Sequence, residues 1–103
     1  MIPLKEQEEQ LKQAAKKRGL IIKKDKSLTK TPYRAMNPHA ARELKQNCPK
    51  NAITYDPKRI KTKRMKVMDL RHEIIEFDEM CKGKKYKTAH KKANRFQRTI
   101  GYV

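Results

Sequence analysis

Residues 66–98 read KVMDLRHEIIEFDEMCKGKKYKTAHKKANRFQR, and this stretch decides the fold that we expect. Apolar residues recur in it at steps of three and four, which is the spacing of one face of an α-helix. The pattern runs over 66–81, stops at Gly83 and resumes over 85–98. Two matching apolar faces around one short turn predict an antiparallel helical hairpin. The apolar positions are Val67, Leu70, Ile74, Phe77 and Cys81 in the first helix, and Tyr86, Ala89, Ala93, Phe96 and Ile100 in the second.

The rest of the chain predicts shorter elements. Residues 4–18 are good helix formers with glutamates near the start and lysines near the end, and Gly19 is a natural stop. Asn37-Pro38 is the start signal of another helix, with asparagine as its N-cap. Residues 20–22 and 51–55 predict short strands. Residues 23–33 are polar and contain Pro32, so we expect a loop there.

These elements predict an α+β, mostly helical fold in one small domain, residues 1–103. It has a short strand or strand pair and ends in the C-terminal antiparallel helical hairpin. We expect residues 51–100 to form its core and the helix within 1–19 to lie at its periphery. Because 36% of the residues are hydrophobic and 38% are charged, that core should be small.

The composition also bears on the compartment. There is no run of about 18 apolar residues that would cross a membrane, and the first residues lack the apolar segment of a secretory signal. The two cysteines do not make a disulfide framework. We therefore expect a cytoplasmic protein, in the nucleoid or in the cytoplasm of a host cell if its source is viral, with no membrane partner.

Positive charge is spread unevenly along the chain. There are 28 Lys and Arg against 11 Asp and Glu, a net charge of +17. Residues 67–81 hold five of the eleven carboxylates, whereas 82–103 hold eight basic residues and no acidic one. Such a charge attracts polyanions, because each neutralised phosphate releases counterions. Solvated lysines in a lysine-rich composition are the alternative interpretation.

The leading functional prediction is therefore a small nucleic-acid-binding protein, for DNA or RNA. Lysine outnumbers arginine, and lysine suits phosphate contact more than base reading, so we expect low sequence specificity. The phosphate contacts would come from the basic segment 58–64 and from a stripe on the second hairpin helix. The predicted interface residues are Lys58, Arg59, Lys61, Lys63, Arg64, Lys84, Lys87, Lys91, Arg95 and Arg98.

The first hairpin helix also carries an HExxE motif. His72 and Glu76 are four residues apart, so they lie one turn apart on the same face. Metal-binding helices use this spacing because two donors can converge on one ion, and a neighbouring glutamate can act as a general base. The chain has no glycine-rich nucleotide motif, no GxSxG and no CxxC, which disfavours other common chemistries.

Residues 51–98 resemble the minimal core of zincin metallopeptidases, in which a short strand precedes a helix with His-Glu. They also resemble small uncharacterised proteins with an HExxE…AH pattern, through Met80, Gly83, Tyr86, Ala89, His90 and Ala93. The resemblance implies a zinc cofactor held by His72, Glu76 and His90, with Glu73 as the catalytic base. Glu76 stands where zincins have a second histidine.

The hairpin itself permits this site without requiring it. If Cys81 faces Tyr86 across the turn, His90 lies level with Phe77, which is five residues or roughly 7–8 Å along the axis from His72. Side chains that lean toward one point can close this gap. Otherwise the carboxylates form a solvated helix face, and His90 is a packing residue that hydrogen-bonds to Glu76.

Three classes of function thus remain open. The first is a non-catalytic nucleic-acid-binding module. The second is a metal-dependent hydrolase, a zincin-like peptidase or a nuclease, with an HExxE…H site. The third is a viral or mobile-element regulator that binds a host protein through its basic surface.

Overall fold

The helices and strands begin and end close to the capping residues, glycines and prolines that predict their boundaries. In the computed structural model, which describes residues 2–100 and the side chains of 2–96, there are four α-helices and three strands. In chain order these are α1 (Leu4–Lys17), β1 (Ile21–Lys24), β2 (Ala35–Met36), α2 (Pro38–Leu44), β3 (Ala52–Tyr55), α3 (Lys63–Cys81) and α4 (Tyr86–Ile100). A short 3-10 helix, Lys26–Lys30, follows β1 within the predicted loop. The predicted α+β, mostly helical fold is confirmed.

Local capping explains where these elements begin and end. Asn37 caps α2 as predicted, since its side-chain oxygen accepts hydrogen bonds from the backbone N–H groups of His39 and Ala40. Thr62 caps α3 in the same way through the N–H of Met65. Gly83, between α3 and α4, has φ +94, a backbone conformation that glycine adopts without strain.

The strands form one mixed sheet in the order β1-β3-β2. β1 pairs parallel to β3, with Ile22 opposite Ile53, and β2 pairs antiparallel to β3, with Met36 opposite Thr54. Every residue of β3 is buried, because it is the central strand. β2 was not predicted, since two residues are too short to show a period.

The main core joins α1, β3 and α3. It contains Leu11 and Ala15 of α1, Ile53 of β3, and Leu70 and Ile74 of α3 among its buried residues. The prediction that the N-terminal helix is peripheral is therefore wrong. The thin apolar stripe is enough to hold α1 in the core, because its small and medium-sized side chains let α1 lie close against α3.

α3 and α4 pack against each other as a hairpin, as predicted, whereas Val67, Leu70 and Ile74 of the predicted apolar face belong to the core shared with α1 and β3. Ala89 and Ala93 are fully buried, so two methyl-sized side chains bring the helices together. The prediction that Cys81 is a core residue is wrong: its side chain is exposed, and its Sγ lies 3.2 Å from His39 Nε2. Cys81 is the last residue of α3, just before the turn that contains Gly83. Ile100, the last position of the predicted pattern, lies outside the described side chains.

A second internal anchor surrounds Asp56, which is fully buried. Arg59 Nε donates to Asp56 Oδ2 at 2.6 Å, and Arg59 Nη2 donates to the carbonyl oxygens of Leu28 and Tyr33. Thr29 and the N–H of Lys58 also donate to the Asp56 carboxylate. Arg59 thus ties the 3-10 helix to the segment after β3, and its predicted contact with nucleic acid stays a prediction.

Asp56→Asn should test this anchor and its pH dependence. Burial alone would raise the pKa of Asp56, but the hydrogen bonds from Arg59, Lys58 and Thr29 outweigh it and lower the pKa below the ordinary value of 3.8. The carboxylate therefore stabilises the fold above that value, and the stabilisation is lost as the pH falls through the lower pKa of the folded state. At pH 7 we expect Asp56→Asn to lower the midpoint of thermal unfolding by about 10 °C.

The measurement is circular dichroism during heating, at pH 7 and at pH 3. Glu6→Gln, which neutralises an exposed carboxylate of α1, is the matched control and should leave the midpoint within about 2 °C. The difference between wild type and Asp56→Asn should shrink at pH 3. An equal difference at both pH values would contradict the assigned role of the ionised carboxylate.

Candidate metal centre

Three donor atoms from two helices meet at one point beside the hairpin. His72 Nε2 lies 3.0 Å from Glu76 Oε2, and His90 Nδ1 lies 2.9 Å from the same oxygen. The two ring nitrogens are 3.1 Å apart. α3 supplies His72 and Glu76 one turn apart, and α4 supplies His90 across the hairpin. The side chains thus close the axial gap of several ångströms that the helix register predicts.

The triangle formed by these atoms fits a single metal ion. In a tetrahedral zinc site with bonds of about 2.0–2.1 Å, neighbouring ligand atoms are roughly 3.3 Å apart. The observed edges of 2.9–3.1 Å need to widen by only a few tenths of an ångström. His72, Glu76 and His90 could therefore hold a metal ion.

Asn37 orients the ligand carboxylate from outside the triangle. Its Nδ2 donates to Glu76 Oε1 and to Glu73 Oε1, both at 3.0 Å. Because its own oxygen caps α2, the orientation of the amide is fixed, and Glu76 is left with Oε2 facing the imidazoles. Such second contacts hold metal ligands in place. The sequence predicts Asn37 as a cap, but nothing in it indicates this contact, since the partners are 36 and 39 residues away.

Glu73, the predicted base, is buried beside the three ligands. Burial raises the pKa of its carboxyl well above the ordinary value, and the neighbouring Glu76 carboxylate raises it further. Tyr86 completes this side of the site: its ring stacks on His90 at 5.1 Å between centroids, and its hydroxyl lies 3.2 Å from His90 Nδ1. Burial, and then the charges of Glu76 and Glu73, raise the pKa of the Tyr86 hydroxyl.

The cluster opens into a cavity of about 410 Å³. At its rim, exposed Arg34 donates to Asp69 Oδ1 at 3.1 Å. The other oxygen of Asp69 is buried and has no hydrogen-bond partner in the part of the chain that is described. Burial raises the pKa of Asp69, an effect that Arg34 partly offsets. The lining residues are Pro32, Tyr33, Arg34, Ala35, Met36, Met68, Asp69, His72, Glu73, Glu76, Tyr86, His90 and Asn94.

The alternative of a solvated acidic face is wrong for four of the five acidic residues of α3, but its other half holds, since half-buried His90 hydrogen-bonds to Glu76 at 2.9 Å. Asp69, Glu73, Glu76 and Glu79 are each less than one-tenth exposed. α3 packs against α1, α2, α4 and two strands, so only a narrow strip of it reaches water. Glu79 forms ion pairs with both Lys82 and Lys92. The buried carboxylate of Glu76 contacts the imidazoles of His72 and His90 in place of water.

The predicted nucleic-acid contacts come from two exposed surface segments of the chain. Lys58, Lys61, Lys63 and Arg64 are exposed at and before the start of α3. Lys84, Lys87, Lys91 and Arg95 are exposed at and along α4, and we refer to these four as the α4 stripe. The side chain of Arg98 lies outside the described residues. Of the two segments, the α4 stripe is on the helix that supplies His90.

Comparisons with protein-family models, curated proteins and solved structures give no match to this chain. Within residues 2–100, none of the helices combines the length and the apolar character needed to span a membrane.

Proposed function

We propose that this protein is a zinc-dependent hydrolase whose metal is held by His72, Glu76 and His90. The observation that carries the proposal is the convergence of two imidazole nitrogens and one carboxylate oxygen within 3.1 Å. Two histidines and one glutamate are a donor set that catalytic zinc sites use. Three protein ligands rather than four leave a coordination position for water or substrate, which supports a catalytic role over a purely structural one.

Each neighbouring residue has a role in this proposal. Zinc, when bound, would supply Lewis-acid activation of water at neutral pH. Glu73 lines the same cavity, where its carboxylate would take a proton from the attacking water and return it to the leaving group. Asn37 holds Glu73 and Glu76 through one amide, so that the base and the ligand keep a fixed separation. Tyr86 stacks on His90 and keeps its ring from turning away.

Equilibrium dialysis of the full chain against Zn²⁺, Mn²⁺ and Fe²⁺, followed by elemental analysis, tests the metal site. Wild type should retain one zinc per chain, and His72→Ala or His90→Ala should retain less than about one-tenth of that. His39→Gln is the matched control, because His39 is the third histidine of the chain and lies outside the cluster, next to Cys81. Wild-type protein without zinc, or equal loss in all three variants, would contradict the proposal.

The same experiment distinguishes the metals. A facial set of two histidines and one carboxylate also serves non-haem iron enzymes. Retention of iron in preference to zinc would replace hydrolysis with oxidative chemistry as the proposed activity. Glu73→Gln separates binding from catalysis: it should keep the zinc, because Glu73 is not one of the three ligands.

A further inference from the structure

The α4 stripe lies directly beside the residues of α4 that line the metal cavity. At about 100° per residue around a helix, Tyr86, His90 and Asn94 span an arc of roughly 80°. Lys87 follows about 20° beyond Asn94, and Lys91 about 40° beyond Lys87. A chain-like ligand on these lysines would therefore run along the mouth of the cavity.

Three lysines of the α4 stripe lack a carboxylate partner among the described residues, whereas two neighbouring lysines have one. Lys82 and Lys92 both pair with Glu79. Lys84, Lys87 and Lys91 are exposed and form no ion pair with any carboxylate among the described residues. The sequence from residue 82 onward contains no acidic residue. Successive positions of the stripe are about 4.5–6 Å apart along the axis, which gives a row of cations suited to a row of phosphates.

The cavity beside this row is lined by aromatic as well as charged side chains. Tyr33 and Tyr86 line it, with the Tyr86 ring also stacked on His90, and Arg34 stands at its rim. A volume of about 410 Å³ falls within the range of small-ligand pockets, roughly 300–1,000 Å³. Two rings are too few for an extended stacking platform, but one cavity needs to receive only one base.

We propose that single-stranded nucleic acid is the ligand class of this site, with phosphates along the α4 stripe and one unpaired base in the cavity. The proposed strand-binding site and the proposed metal centre share one cavity, so the strand would lie against the metal centre. This inference rests on the proposed function only in that respect. The tyrosines favour a nucleic acid over an acidic protein, since bases stack on aromatic rings and carboxylates do not. A duplex fits less well because its bases are already stacked and paired.

Fluorescence anisotropy with a labelled 12-nucleotide strand of mixed sequence tests the proposal on the full chain in EDTA. Lys87→Gln/Lys91→Gln should weaken binding on the order of tenfold and lower the slope of log affinity against log salt by about 1.4. Lys5→Gln/Lys16→Gln removes the same charge from exposed positions of α1 and should change the affinity by less than about twofold. Equal losses in the two double variants would overturn the proposal.

Competitors test the ligand class. An unlabelled single strand should displace the probe at lower concentration than a duplex of equal length or a poly-glutamate of equal charge. Stronger competition by poly-glutamate would indicate an acidic protein partner. Stronger competition by duplex would show that binding does not need an unpaired base in the cavity. Either result overturns the proposal.

Wild type alone separates this inference from the proposed function, with strand binding measured in EDTA and zinc retention measured by dialysis. The phosphate contacts do not need the metal, so EDTA should not weaken strand binding. Strand binding in EDTA together with one retained zinc per chain supports both proposals. A wild type that binds the strand but no zinc overturns only the proposed function.

Discussion

Replacing Asn37 by aspartate is expected to cause the largest loss of stability of any substitution considered for this chain. Asn37 is fully buried and donates from one amide to two carboxylates, Glu73 and Glu76, at 3.0 Å. Aspartate removes the donor and places a third carboxylate against the other two. Because a buried charge without a partner costs about 3–5 kcal/mol, the variant should lose much of the stability of a domain of this size.

Asn37→Ser isolates the contribution that the hydrogen bonds from residue 37 to the two carboxylates make to the free energy of unfolding. Serine is as good an N-cap as asparagine, so it keeps the start of α2 but does not reach both glutamates. Urea unfolding at pH 7 should rank the free energies of unfolding as wild type, then Asn37→Ser, then Asn37→Asp. The loss in Asn37→Asp should shrink at pH 4–5, where a protonated carboxyl can donate a hydrogen bond. Asn37→Asp as stable as wild type at pH 7 would contradict the described hydrogen bonds.

Zinc is expected to raise the midpoint of thermal unfolding by about 15 °C or more when its concentration is 1,000 times the dissociation constant. Binding to the folded state alone contributes about 4 kcal/mol under those conditions. In a domain of about 100 residues each kcal/mol corresponds to roughly 4–8 °C. The reason is geometric: His72, Glu76 and His90 come together only when α3 and α4 are paired.

The shift should disappear with the ligands and with acid. Glu76→Gln and His90→Ala should show less than about 3 °C of zinc-induced change, whereas His39→Gln should respond as wild type does. Protons and metal compete for the same ring nitrogens, so the zinc effect should fall as the pH is lowered from 7.5 to 5.5. Differential scanning calorimetry measures the zinc-induced shift of the unfolding midpoint in each variant and at each pH. An undiminished shift in His90→Ala would place the zinc elsewhere on the chain.

Local patterns predicted the parts of this molecule that depend on local physics. The apolar period over 66–98 gave the hairpin, because helix faces repeat within a few residues. The spacing of His72 and Glu76 placed these two residues on one face of α3. His90 as the third ligand was implied by the resemblance to HExxE…AH proteins, and the pairing of the helices permitted it without requiring it. Asn37 as a cap followed from its side chain and from Pro38, with no reference to the rest of the fold.

Surroundings supplied by distant segments could not be predicted from the sequence. Arg59 looks like one cation in a basic run, but Asp56 and two carbonyl oxygens surround its guanidinium. Cys81 continues the apolar period of α3, but its side chain is exposed. The thin stripe of α1 gives no sign that the sheet and α3 together present a matching surface. In each case the deciding contact is made by tertiary packing, which a periodic pattern does not contain.

Asn37 has a consequence for how this chain can change over time. One side chain begins a helix with its oxygen and holds two acidic groups with its nitrogen. Aspartate and serine each satisfy the first demand and fail the second, while residues with longer donors fail the first. We therefore expect residue 37, at the start of α2, and the two glutamates opposite it to change together during evolution. A substitution at only one of these places loses either the helix cap or the hydrogen bonds to the carboxylates.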